Sequence, residues 1–126
     1  MTWDEYGAAC RERGALAMQV FACNSSAVKP GPPPPDVQQE HLAYMKKLEA
    51  SGDLFLAGPL SDETGTQMGG KGLLVLRAAT IDDARKLAEG DPMHREGVRT
   101  FTLTAWRLNE GSPMSGVTLS NRSEPL

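Results

Sequence analysis

Two histidines and one Asp-Pro step hold most of the acid–base chemistry open to this chain of 126 residues. His41 stands in "QQEHLAYMKKL"; Asp91 and His94 stand in "EGDPMHREG". A histidine beside a carboxylate is held in one tautomer and becomes a stronger general base. Asp91 invites that reading because it follows a stretch with helical spacing, and a helix C-terminus favours cations over carboxylates. An acid set against the dipole points to another partner, and an imidazole is the natural one. The plainer accounts are a turn residue before proline for Asp91 and a half-buried packing role beside Tyr44 for His41. His94 reads as a solvated surface histidine.

Other chemistries lack their patterns. A metal site of His41, His94 and Asp91 has no ligand spacing of the Cys-x-x-Cys or His-x-x-x-His kind. There is no Gly-x-Ser-x-Gly elbow and no dinucleotide fingerprint, so no cofactor is expected. Gly69-Gly70-Lys71-Gly72 precedes a strand pattern and not a helix, so it lacks the dipole that holds phosphate and reads as a flexible hairpin. A net charge of −3 with no basic run argues against a nucleic-acid partner. Cys10 and Cys23 form no disulfide framework and read as reduced thiols. The first residues carry Asp4, Glu5 and Glu12 with no apolar core, and no stretch suits a membrane span. A soluble, cytoplasmic protein is the expectation.

The elements that must position His41 and Asp91 follow from periodicity. Thr2 to Glu5 has capping-box spacing and opens a short N-terminal helix. Residues 15–23 read as a strand, followed by the stiff loop "NSSAVKPGPPPPD". Asp36 is positioned to cap a helix over 37–51 that Gly52 stops. Its inward stripe is Val37, His41, Tyr44, Met45 and Leu48. A strand at 54–57 is expected to stop at Gly58-Pro59, since proline lacks an N–H for the ladder. A long polar connection leads to a strand at 72–79. Thr80 caps a helix over 81–89 that Gly90 closes. Residues 98–108 alternate, with Phe101, Leu103 and Ala105 on one face and Thr100, Thr102 and Trp106 on the other. The tail 109–126 is rich in Ser, Gly and Pro and holds either a short strand at 117–119 or none.

The resulting order is βαββαβ after a helical extension, an α+β, ferredoxin-like arrangement with both helices on one face of an antiparallel sheet. The second and third strands are apolar at nearly every position, as in sheets covered on both faces. Two helices cover only one face. The free face is expected to pack on a second sheet in a two-fold homodimer, or else under the extension and the tail. The divisions expected are an extension at 1–13, a domain at 14–108 and a tail at 109–126.

"HLAYMKKLEASGDLFLAGPLSDETG", "GLLVLRAATIDDARKLAEGDP" and "GVRTFTLTAWRL" together resemble the YCII-related (YciI-like) family, over about residues 15–108. The ordered set of His41, Gly58-Pro59-Leu60 and Asp91-Pro92 carries the resemblance. It implies a dimeric α+β barrel of the muconolactone-isomerase type and a pocket whose histidine and aspartate form a catalytic dyad, here His41 and Asp91. In that reading the chain turns at Gly58 and Pro59 beside the pocket, with Ser61 and Asp62 near its mouth. One branch of the family is similar to dehydrochlorinases of a chlorinated hydroxyhydroquinone. The chain departs from the compact family form in its extension, its proline loop, its tail, and Met93 where an aromatic often follows Asp-Pro.

Two functions follow as expectations. One is a cofactor-independent lyase or isomerase acting on a small molecule. His41 shuttles the proton, Asp91 orients and charge-balances it, and Tyr44 and Ser61 hold the substrate. The other is a non-catalytic ligand-binding or dimerisation module in which the pair is a polar anchor, or only a structural bridge.

Overall fold

In a computed structural model, which describes residues 1–111, four strands form one antiparallel sheet accompanied by four helices. Helix α1, Trp3–Glu12, starts as its capping signal predicts, with the Thr2 hydroxyl accepting from the Glu5 N–H. Strand β1, Met18–Ala27, runs four residues past the end expected at Cys23. It is a central strand, and ladder bonds to both neighbours hold Asn24, Ser25 and Ser26 extended despite their turn-forming side chains.

Helix α2, Pro35–Ser51, begins two residues earlier than expected. Pro34 stands at the N-cap and Pro35 at the first helical position, where a missing N–H is harmless and φ is preset. Asp36 lies inside the first turn, and no side chain caps this helix. Gly52 ends it in the left-handed conformation, φ 85°, which suits glycine.

Strand β2, Leu54–Ser61, passes straight through Gly58-Pro59, so the stop expected there is corrected. The sheet order β2-β3-β1-β4 makes β2 an edge strand. Pro59 pairs with Gly72, and on an edge a residue without an N–H costs the ladder little. Gly69, Gly70, Lys71 and Gly72 also belong to a strand, β3 (Met68–Leu76), and not to a flexible hairpin. A Cβ on Gly69 would stand 2.8 Å from the Ser61 carbonyl oxygen, beside the irregularity between Leu60 and Ser61 that only glycine fits. The turn itself is tight: the Asp62 carboxylate accepts from the backbone and hydroxyl of Thr64.

Thr80 caps helix α3, Ile81–Glu89, by accepting from the Asp83 N–H. A further short helix, α4 (Pro92–Arg95), separates it from β4, Arg99–Leu108. With β1α2β2β3α3β4 and this strand order, the unit is a ferredoxin-like α+β fold. Phe21, Cys23, Leu74 and Leu76 of the sheet pack against Leu48 of α2 and Ala84 and Ala88 of α3.

Strand alternation in this register puts Leu56, Leu60 and Trp106 on the opposite face, where they are 44, 42 and 43% exposed. Helix α1 does not cover that face, contrary to one of the expectations. It is tied to Gln19 and Arg107, which alternate with Phe21 and Ala105 and so belong to the helix-covered side. The Trp3 indole donates to Gln19 at 2.6 Å, and the Arg107 guanidinium lies 4.5 Å from the Trp3 ring centre. Among the described residues no helix is long and apolar enough to cross a membrane. The strand suggested at 117–119 lies outside the described residues.

Candidate functional site

Asp91 stands at the junction of α3 and α4. It is not a misplaced acid at a helix C-terminus, as its sequence position suggests. It is the N-cap of α4, where a carboxylate is favoured, and Pro92 follows at the first helical position. One carboxylate oxygen, Oδ1, accepts from the Met93 N–H at 2.9 Å and lies 2.8 Å from His41 Nδ1. Asp91 is 1% exposed. A carboxylate so deep is costly unless its oxygens are bonded, and here a backbone N–H and an imidazole N–H meet it. Beside this pair, Arg95 of α4 reaches Glu40 of α2 at 3.0 Å, a surface pair that adds little strength but marks the same contact between the helices.

The carboxylate only accepts, so His41 Nδ1 carries the proton and Nε2 is left as the basic nitrogen. The His41 side chain is 22% exposed, half-buried at the wall of a cleft. The negative charge of Asp91 is felt inside the protein. Burial pushes the Cys23 thiol up to about 11, and Asp91 adds to this. Burial likewise raises Tyr44, with Asp91 and then Asp53 contributing.

The cleft has a volume of about 1630 Å³ and lies between α2, the proline loop and the strands β2 and β3. That exceeds the roughly 300–1,000 Å³ of ordinary small-molecule pockets. His41, Asp91, Gly58 and Pro59 all line it. Tyr44 and Ser61 do not line it. The Tyr44 hydroxyl donates to the Leu87 carbonyl at 2.8 Å and ties α2 to α3. The Ser61 hydroxyl donates to the Asp62 carbonyl at the far end of β2, because the strand continues past Pro59 and carries Ser61 away. The proline loop forms part of the wall, as its place beside β1 suggests.

Three polar residues in and behind this wall escape a reading of the sequence. His94 is not a solvated surface residue. Its Nδ1 lies 2.7 Å from the Ala88 carbonyl oxygen and its Nε2 lies 2.7 Å from Ser25 Oγ. Arg99 Nε donates to the same hydroxyl at 2.8 Å. Strand alternation through Phe21, Cys23 and Ser25 was the available signal that Ser25 points inward. Its mate Arg99 alternates with Phe101 and Leu103 in the same way. Among the described residues no group of three or more His, Cys, Asp or Glu is arranged to hold a metal ion.

A family model for the YCII-related domain matches residues 21–107, from within β1 to within β4. The chain belongs to the YCII-related family. Helix α1 lies outside the matched range. Over 76 residues the chain is 30% identical to the uncharacterized protein YjpA of Bacillus subtilis strain 168, covering 57% of this chain and 82% of YjpA. Among solved structures it is similar to the 5-chloro-2-hydroxyhydroquinone dehydrochlorinase of Burkholderia phenoliruptrix AC1100, in complex with 2,5-dihydroxybenzoquinone. That similarity has a TM-score of 0.48 and 25% identity, over 75% of this chain and 96% of the other.

Proposed function

We propose that this YCII-related protein is a cofactor-independent acid–base enzyme, a lyase or isomerase that processes a small molecule in the cleft at His41. The observation that carries the reading is the 2.8 Å contact between His41 Nδ1 and the buried Asp91 carboxylate at the wall of that cleft. Asp91 holds the ring so that Nε2 is the base. When Nε2 takes a proton from a substrate carbon, the imidazolium is balanced by the carboxylate already bonded to it. The proton then returns to another atom, giving an isomer, or a leaving group departs, giving an elimination. The dehydrochlorinase-like reaction that the family resemblance implies is one case of the second outcome, with chloride as the leaving group.

The test has two parts. In D₂O, the protein is expected to exchange C–H for C–D in at least one member of a panel of small phenols and enolisable acids, followed by proton NMR. His41→Ala is expected to slow that exchange by about 10²–10⁴-fold while near-UV circular dichroism stays native. Separately, nitrogen-15 imidazole spectra should show the proton of His41 on Nδ1, with that preference lost in Asp91→Ala. An unchanged tautomer in Asp91→Ala would sink the dyad.

The volume of the cleft favours a second reading, a binding module in which the pair is a polar anchor. It predicts ligands that raise thermal stability and leave unchanged. We also propose a homodimer formed through the sheet face that carries Leu56, Leu60 and Trp106, and a cytoplasmic location, supported by two buried free cysteines.

A further inference from the structure

Ser25 is a polar residue, 3% exposed, on the face of β1 that otherwise presents Phe21 and Cys23 to the core. Packing does not explain it, but its hydroxyl is held from two sides. His94 approaches with Nε2 at 2.7 Å and Arg99 donates from Nε at 2.8 Å. Arg99 is itself fixed by bonds from Nη2 to the carbonyl oxygens of Ser25, 2.9 Å, and Gly70, 3.2 Å. Its Nη1 makes no hydrogen bond to the described residues, and no carboxylate pairs with it among them. A half-buried guanidinium locked in place without a counter-charge is costly unless something else supplies the charge.

Ser25, Arg99 and Lys71 all line the cleft that His41 and Asp91 line. Asp91 is committed to His41 and cannot neutralise Arg99. We propose that Arg99, held in place by Ser25, forms an anion subsite that takes the carboxylate of a small organic acid. The proposal deepens the reading of the cleft as the substrate site and rests on it.

The chemistry favours a carboxylate for a geometric reason. Arg99 spends Nε and Nη2 on Ser25 and Gly70, so the Nη1 side of the guanidinium, which points away from Ser25, is the donor left for a carboxylate oxygen in a charge-assisted hydrogen bond. His94 serves as the positioning residue. The Ala88 carbonyl only accepts, so Nδ1 carries a proton. With the proton on Nδ1, Nε2 accepts from the Ser25 hydroxyl, whose oxygen accepts from Arg99 Nε, so His94 and Ser25 together hold the guanidinium in place. The acid group is thereby anchored at one end of the cleft while His41 faces another part of the same molecule. No covalent bond changes in this step.

Benzoate and its neutral isostere benzamide are the probes, compared by calorimetry near neutral pH. The protein is expected to bind benzoate about tenfold more tightly than benzamide, as befits a hydrogen bond to a charged group. Arg99→Gln should erase that preference. Ser25→Ala, which removes only a hydroxyl, should weaken benzoate several-fold with native near-UV circular dichroism. His94→Leu should weaken it similarly and His94→Gln, which still reaches Ser25, should restore part of it. The Arg99 Nε–H resonance should shift on adding benzoate to the unaltered protein. His41→Ala should keep the preference. Equal affinity for the two probes, no binding of benzoate, or a preference that survives Arg99→Gln would overturn the subsite. A preference that persists when the tautomer test on His41 fails would leave the subsite standing and remove the acid–base reading.

Discussion

At the scale of the residue, Asp91 does three things with one carboxylate. It caps α4, lies 2.8 Å from His41 Nδ1, and adds its charge to the burial that raises Cys23 and Tyr44. Cys23 turns this into a stability statement. Its ordinary value of 9.0 is pushed up to about 11 in the folded protein, first by burial. The folded state then keeps its proton where the unfolded chain has lost it. The contribution to stability is complete below pH 9.0 and is lost as pH rises toward about 11. At about 1.4 kcal/mol for each tenfold change in proton affinity, the loss is on the order of 2–3 kcal/mol. Urea midpoints measured from neutral to strongly alkaline pH should fall across that window, and Cys23→Ala should flatten the fall. A slope unchanged in Cys23→Ala assigns it to other groups.

At the scale of the element, the short helix α4 decides the site. Gly90 ends α3, Asp91 starts α4, and His94 sits three residues on, so one turn of chain sets the anchors of both imidazoles. The turn is closely packed. A Cβ on Gly90 would stand 2.6 Å from the Tyr44 hydroxyl oxygen and 3.2 Å from its ring carbon Cζ. Tyr44 cannot retreat without giving up its bond to Leu87. Gly90→Ala is therefore expected to destabilise the protein by about 1–3 kcal/mol in denaturant unfolding. Adding Tyr44→Phe should recover part of that loss, and strictly additive effects would contradict a direct clash. Strand β2 shows the opposite tolerance: Pro59 is accepted within it because the strand is an edge.

At the scale of the whole molecule, the sheet has one face under α2 and α3 and another that presents Leu56, Leu60 and Trp106. A second copy on that face would bury these side chains and border the cleft, since Leu56 also lines it. Sedimentation should show a dimer that Trp106→Glu weakens by an order of magnitude or more, since an aromatic contact is replaced by a charge. A monomeric native protein, or a Trp106→Glu dimer of unaltered affinity, would move the interface elsewhere or remove it.

The sequence alone determined what depends on local repetition. The alternation of β4, the apolar stripe of α2 with His41 in it, the capping of α1 and α3, and the order of the elements apart from α4 all follow from near neighbours. The pairing of His41 with Asp91 was legible because few acid–base residues compete for it. Tertiary structure alone decided matters that depend on which strands neighbour which. Being central stretched β1 to Ala27 and turned Ser25 inward; being an edge let β2 run through Pro59 and carried Ser61 from the cleft. The cluster of Ser25, His94 and Arg99 joins residues 69 and 74 positions apart, and no local period encodes a contact of that span. Asp91 also changed meaning. In the sequence it closes a helix against the dipole, while in space it opens the next one, and that difference aims its carboxylate at His41.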